Sequence, residues 1–175
     1  MQSRNEVGIL QTKRLLIEPM SRAAFLRALG DETCSAQEHA VYAELEERYQ
    51  ADSRNRFSFF TNRLIRRRSD GVTVGSIAYM SDPRTDEQAL LEIGYETLEV
   101  FRGRGYATEA LEQMCRAGLQ IPGCAGMIAG VELSNTASMR VLEKCGFVCT
   151  DRSTYLQLAI YQRKLPGGQT ECKNI

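Results

Sequence analysis

Glu99-Val100-Phe101-Arg102-Gly103-Arg104-Gly105-Tyr106-Ala107-Thr108-Glu109-Ala110 is the stretch that decides the fold. Residues 89–98 before it predict a strand, and those after it, to about Gln120, a helix. A strand turning tightly into a helix brings unbonded N–H groups and the positive end of the helix dipole to one point, which attracts phosphate. Gly103 and Gly105 permit unusual dihedrals and a close approach of backbone to ligand, while Arg102 and Arg104 add charge beside the amides. A pyrophosphate suits this better than a single charge. The same letters also suit a plain glycine turn with two solvated arginines. Two other phosphate readers fail on spacing. A dinucleotide fingerprint requires glycine where Thr108 stands and an acidic strand end about 20 residues on. A Walker loop requires a Gly-Lys-Ser/Thr ending that does not occur here.

Outward from this loop, residues 12–18, with Leu15, Leu16 and Ile17 together, predict a first strand ended by Pro19. Ser21 caps a helix over 22–29 and Ser35 a second to about Gln50. The Ser69-Asp70-Gly71 turn joins a strand within 57–68 to one over 72–80, and Asp82-Pro83-Arg84-Thr85-Asp86 leads into 89–98. After the central helix, residues 127–133 predict a strand, 135–145 a helix, and 147–165 two strands. Antiparallel hairpins followed by strand, helix, strand and helix describe an α+β domain with a mixed sheet.

The chain has 175 residues, 22 Lys and Arg against 22 Asp and Glu, and 43% apolar residues. One domain over 1–165 with a polar tail at 166–175 is expected. Balanced charge disfavours non-specific binding to nucleic acid or an anionic membrane, so neither is an expected partner. No apolar run approaches the roughly 20 residues of a membrane span. Met1-Gln2-Ser3-Arg4-Asn5-Glu6 has no apolar signal core behind it, and a cytoplasmic location is expected. Cys34, Cys115, Cys124, Cys145, Cys149 and Cys172 are then read as reduced thiols, with no metal site. A sole histidine, His39, in a polar helical run, argues against Ser-His-Asp hydrolysis.

At this level of detail the chain resembles the GNAT acyl-CoA-dependent N-acetyltransferases, and their RimJ/RimL-like branch in particular. Arg102-Gly103-Arg104-Gly105-Tyr106-Ala107 stands as the family's pyrophosphate loop, continued by Thr108-Glu109-Ala110. Asn135-Thr136-Ala137-Ser138 through Glu143-Lys144-Cys145-Gly146-Phe147 is similar to the branch's second motif. Thr12-Lys13-Arg14-Leu15-Leu16-Ile17 and Glu92-Ile93-Gly94-Tyr95 add two more, in the right order. The resemblance implies a three-layer α/β arrangement: a mixed, mostly antiparallel seven-stranded sheet, splayed between two central parallel strands, with helices on both faces. It also implies acetyl-CoA as co-substrate, wedged between residues 89–98 and 127–133. Pantetheine would pair with the backbone of Glu96, Thr97 and Leu98, and the pyrophosphate would sit on the amides of Arg102 to Thr108.

Acetyl transfer to an amine requires a neutral nitrogen and a way to accommodate the leaving thiolate. Strand alternation sets Glu92 and Gly94 on one face and Leu91, Ile93 and Tyr95 on the other. Glu92 matches the family's glutamate base, provided partial burial raises its proton affinity; a glutamate paired with an arginine is the alternative. Asn135 and Ser138 lie on one side of a helix N-terminus. They serve either as caps or, by the resemblance, as the amide holding a pantetheine carbonyl and the hydroxyl protonating the CoA sulfur. Leu142 stands where many relatives carry a tyrosine acid. The acceptor is a protein N-terminus or a small amine such as an amino sugar or antibiotic, met by residues 30–60, where Glu44, Glu46 and Glu47 suit a cation. A sensor binding acyl-CoA without turnover is the alternative from another class. The oligomeric state is open between monomer and homodimer.

Overall fold

The computed structural model describes residues 8–21, 61–82 and 88–164, with the isolated helical positions Ala40, Ala43 and Glu47. Apart from these positions, the helices expected over 22–29 and 35–50, His39, the acceptor segment 30–60, Cys34, Cys172 and the tail lie outside the described residues. So does most of the 82–86 turn.

Eight strands form one sheet in the order β1-β2-β3-β4-β5-β6-β8-β7. They are β1 (Leu10–Gln11), β2 (Leu15–Pro19), β3 (Arg63–Arg67), β4 (Thr73–Tyr79), β5 (Leu90–Thr97), β6 (Gly126–Glu132), β7 (Val148–Ser153) and β8 (Leu158–Lys164). The two described helices are α1 (Tyr106–Gly118) and α2 (Thr136–Lys144). The mixed, mostly antiparallel architecture is as expected; among the described residues the strand count is eight rather than seven. The added strand is β1, a two-residue pair in which Leu10 lies opposite Ile17, too short to leave a periodic signal. Pro19 ends β2 from inside, as its last residue, opposite Arg63.

Among the described strands only β5 and β6 run parallel, and they pair over three positions: Leu90 with Gly126, Leu91 with Met127 and Glu92 with Ile128. Beyond these, β5 stays registered on β4 to Thr97, while β6 stays registered on β8 to Glu132. The sheet therefore opens between its central strands. Strand alternation sends Ile77, Tyr79, Leu91 and Ile93 into a core with Leu111, Met114 and Met127. Tyr79 donates its buried hydroxyl to the carbonyl of Met114 at 2.6 Å, fixing α1 against β4 on this face. Gly118 makes that contact close: a Cβ there would lie 2.9 Å from Leu91 Cδ2 and 3.1 Å from Met127 Sδ.

Candidate functional site

After β5 the chain makes one 3-10 turn (Glu99–Phe101), then reverses through Gly103 and Gly105 into α1. Their φ angles are 74° and 76°, a region that costs other residues about 1–2 kcal/mol. Gly105 is the N-cap of α1, and its carbonyl accepts the first helical bond from Glu109 N–H at 3.1 Å. The N–H groups of Tyr106, Ala107 and Thr108 thus have no acceptor within the helix. They sit beside Arg102, Gly103 and Arg104, all exposed. Tyr106 offers only its amide, since its side chain is buried in the core. Arg102 turns back on the strand and donates from Nε to the Thr97 carbonyl at 3.2 Å. Arg104 approaches the Phe101 ring, 5.7 Å from its centroid.

The loop is braced by the N-terminal strand region. Arg14 Nη1 donates to the carbonyl of Arg104 at 3.0 Å, its Nε to Glu109 Oε2 at 2.6 Å, and its backbone N–H to Glu109 Oε1 at 2.9 Å. Thr12 Oγ1 donates to the same Oε1 at 2.5 Å, and the Arg14 guanidinium lies 4.8 Å from the Tyr106 ring centroid. Burial works upward on the Glu109 carboxyl, but the hydrogen bonds from Thr12 and Arg14 outweigh it and hold it below the usual carboxylate range. Sequence reasoning missed this clamp. Both ends lie inside recognised motifs, yet they are 95 residues apart and no local rule joins them.

The register of β5 on β4 corrects the expected pantetheine contacts. Met80 N–H donates to Glu92 O, and Leu98 N–H donates to Val74 O. Bonded pairs alternate along an antiparallel ladder, so residues 92, 94, 96 and 98 direct their main chain at β4. The Glu96 carbonyl indeed points at Gly75. Glu96 is thus spent on β4, Leu98 on β4 through its N–H and on the Phe101 N–H through its carbonyl, and Ile93, Tyr95 and Thr97 carry the main-chain groups that face the opening. Of the three expected residues only Thr97 has its main chain turned away from β4, and its carbonyl already accepts from Arg102 Nε. The reversal was not legible because the parity of a ladder is set by its partner strand.

At the far side of the opening, Asn135 is the N-cap of α2, its Oδ1 accepting from Ser138 N–H at 3.0 Å. Capping occupies the amide oxygen and leaves Nδ2 as a donor. The half-buried Ser138 has its Oγ 2.8 Å from the hydroxyl of Tyr95, which also lies 3.2 Å from the Ser138 carbonyl. Leu142, fully buried, supplies no donor. Glu92 and Gly94 stand on the face opposite Tyr95, as alternation required, but Glu92 is exposed, so the partial burial expected of it is not found. Its backbone N–H donates to Ser81 Oγ at 2.8 Å. The site therefore offers amides and arginines for a pyrophosphate, strand main chain and a side-chain amide for an amide chain, and hydroxyls and a carboxylate on opposite faces of the parted sheet. This donor set fits an acyl-CoA.

Residues 14–148 match the family model described as the acetyltransferase (GNAT) domain. The uncharacterized N-acetyltransferase YjdG of Bacillus subtilis (strain 168) is 30% identical over 105 residues, 60% of this chain and 61% of that protein. The match thus spans less than two thirds of that relative. An acetyltransferase from Agrobacterium tumefaciens str. C58 superposes with a TM-score of 0.67 at 18% identity, covering 91% of this chain and 96% of that one. RimL, a ribosomal L7/L12 alpha-N-protein acetyltransferase solved in complex with coenzyme A, superposes at 0.64 with 14% identity, covering 90% and 98%. At these identities the two structures establish a shared fold.

Proposed function

Since the chain belongs to the GNAT acetyltransferase family, we propose that it transfers the acetyl group of acetyl-CoA to a primary amine by direct attack in a ternary complex. The observation that carries this is the left-handed Gly103 and Gly105 turn, which leaves the first amides of α1 unbonded beside the opening between β5 and β6. In this reading the pyrophosphate is held by the loop from Arg102 to Thr108, with Arg104 supplying charge. The Thr97 N–H, with the main chain of Ile93 and Tyr95, pairs with pantetheine, and Asn135 Nδ2 donates to a pantetheine carbonyl. The amine lone pair forms a C–N bond to the thioester carbon, and the C–S pair leaves on sulfur. One proton departs from nitrogen and one arrives at sulfur. Glu92 takes the proton from nitrogen directly or through water, and Ser138 donates a hydrogen bond to the departing sulfur from the other face, solvent supplying its proton. An α-amino group of a protein is the acceptor favoured by the RimJ/RimL-like motifs and by the shared fold with RimL.

Acetyl-CoA at about 100 times its Kd adds about 2.7 kcal/mol of stability, which for a chain of this size raises Tm by about 5–10 °C. Gly105→Glu sets a side chain and a negative charge against the pyrophosphate and abolishes the rise. A wild-type melting curve that does not move at saturating acetyl-CoA overturns the proposal.

A further inference from the structure

The contact between Tyr95 and Ser138 bridges the opening of the sheet. Tyr95 lies within β5, three residues after the last pair with β6, on the side facing the helices, and Ser138 lies in the first turn of α2, on the chain that follows β6. Their oxygens, 2.8 Å apart, come from positions separated by 43 residues. The main chain of Tyr95 itself faces the opening. We infer that Tyr95 is a positioning residue for the departure of the thiolate: its hydroxyl donates to Ser138 Oγ and so aims the Ser138 proton at the sulfur of the bound donor. This rests on the acetyl-transfer reading above.

A hydroxyl has one proton to give and two lone pairs to offer. In one order Ser138 donates to Tyr95, the phenol donates to the Ser138 carbonyl at 3.2 Å, and neither proton is left for a ligand. In the other, Tyr95 donates to Ser138 Oγ and Ser138 donates outward. When the C–S electron pair settles on sulfur, only the second order points protons toward the charge, and bonds in such a chain polarise one another. Burial, opposed in part by the hydrogen bond to Ser138, pushes the phenol up to about 12. An ordinary alkyl thiol titrates near about 8.5, so its thiolate is too weak a base to remove the Tyr95 proton. The pair stabilises the thiolate by hydrogen bonding, both hydroxyls keep their protons, and solvent supplies the proton that balances the one lost by the amine. Without the phenol, Ser138 is free to turn its proton to a carbonyl of its own helical turn.

The test uses the full chain with CoA itself, so no acceptor has to be known. The thiolate absorbance of bound CoA is titrated as the difference between the CoA complex and the desulfo-CoA complex, which cancels the protein's tyrosines and thiols, the exposed Cys149 included. In the wild type the bound thiol titrates about one to two pH units below free CoA, the size expected of a hydrogen bond to a charged group. Ser138→Ala returns it to the free value. Tyr95→Phe returns it at least halfway, and the double variant matches Ser138→Ala alone. Tyr95→Leu serves if the phenylalanine variant does not fold, and a Tm rise with CoA reports folding and binding of each variant. A Tyr95→Phe titration identical to wild type overturns the inference, as does an effect of Tyr95→Phe that persists in the Ser138→Ala background. Failure of the wild type to bind CoA overturns the acetyl-transfer reading itself. Binding with a thiol that titrates like free CoA overturns only the inference.

Discussion

Glu109→Gln separates the brace of the phosphate loop from the loop's own residues. The amide keeps the shape and one oxygen for Thr12 Oγ1 and the Arg14 N–H, but sets an NH2 group against Arg14 Nε and removes the charge. A hydrogen bond between charged groups contributes about 1.5–3 kcal/mol, and water partly replaces it at Arg14, whose side chain is 44% exposed. A loss of about 1–2 kcal/mol is therefore expected, lowering Tm by about 2–8 °C for a chain of this size. The same change releases Arg14 from its orientation toward the Arg104 carbonyl. Weakening that bond, about 0.5–1.5 kcal/mol net, reduces acetyl-CoA affinity about 2- to 12-fold. The pH dependence has a definite sign. Because the folded carboxyl titrates below its ordinary value of 4.5, its contribution is complete above about that pH and is lost as pH falls through the folded value. Melting curves of wild type and Glu109→Gln should differ at pH 7 and converge in acid. Equal Tm at pH 7, or a gap that stays constant as pH falls below 4.5, would refute the clamp.

Glu92→Gln, assayed with an amine found by screening, should be most impaired near neutral pH and recover toward wild type in alkali, where the amine is already neutral. A defect independent of pH would assign Glu92 to electrostatic placement, and no defect at any pH would make it structural. Gly75→Ala places a Cβ on the Glu96 carbonyl and 3.0 Å from Thr97 Cα. These are backbone atoms that yield only if β4 and β5 part, so calorimetry should show a loss of about 1–3 kcal/mol. Acetyl-CoA affinity should fall with it, because Thr97 moves; unchanged stability would mean the strands adjust freely.

Apart from the two-residue β1, the order of the described elements was legible from local rules. Alternation marked β5, candidate caps marked α2, and a glycine pair between strand and helix marked a turn whose φ angles only glycine takes without strain. The faces of β5 followed from alternation alone, which set Glu92 opposite Tyr95 before any partner was known. Tertiary structure decided the rest. Which amides of β5 are left for a ligand depends on the parity of its ladder with β4, a property of two strands that neither carries in its own letters. Whether Glu92 is buried depends on what packs above it. The Arg14–Glu109 clamp and the Tyr95–Ser138 pair join residues 95 and 43 positions apart. Their chemistry was written in the sequence, but contact across such separations arises only when the sheet is assembled, because loop closure, register and side-chain direction together determine which polar groups meet.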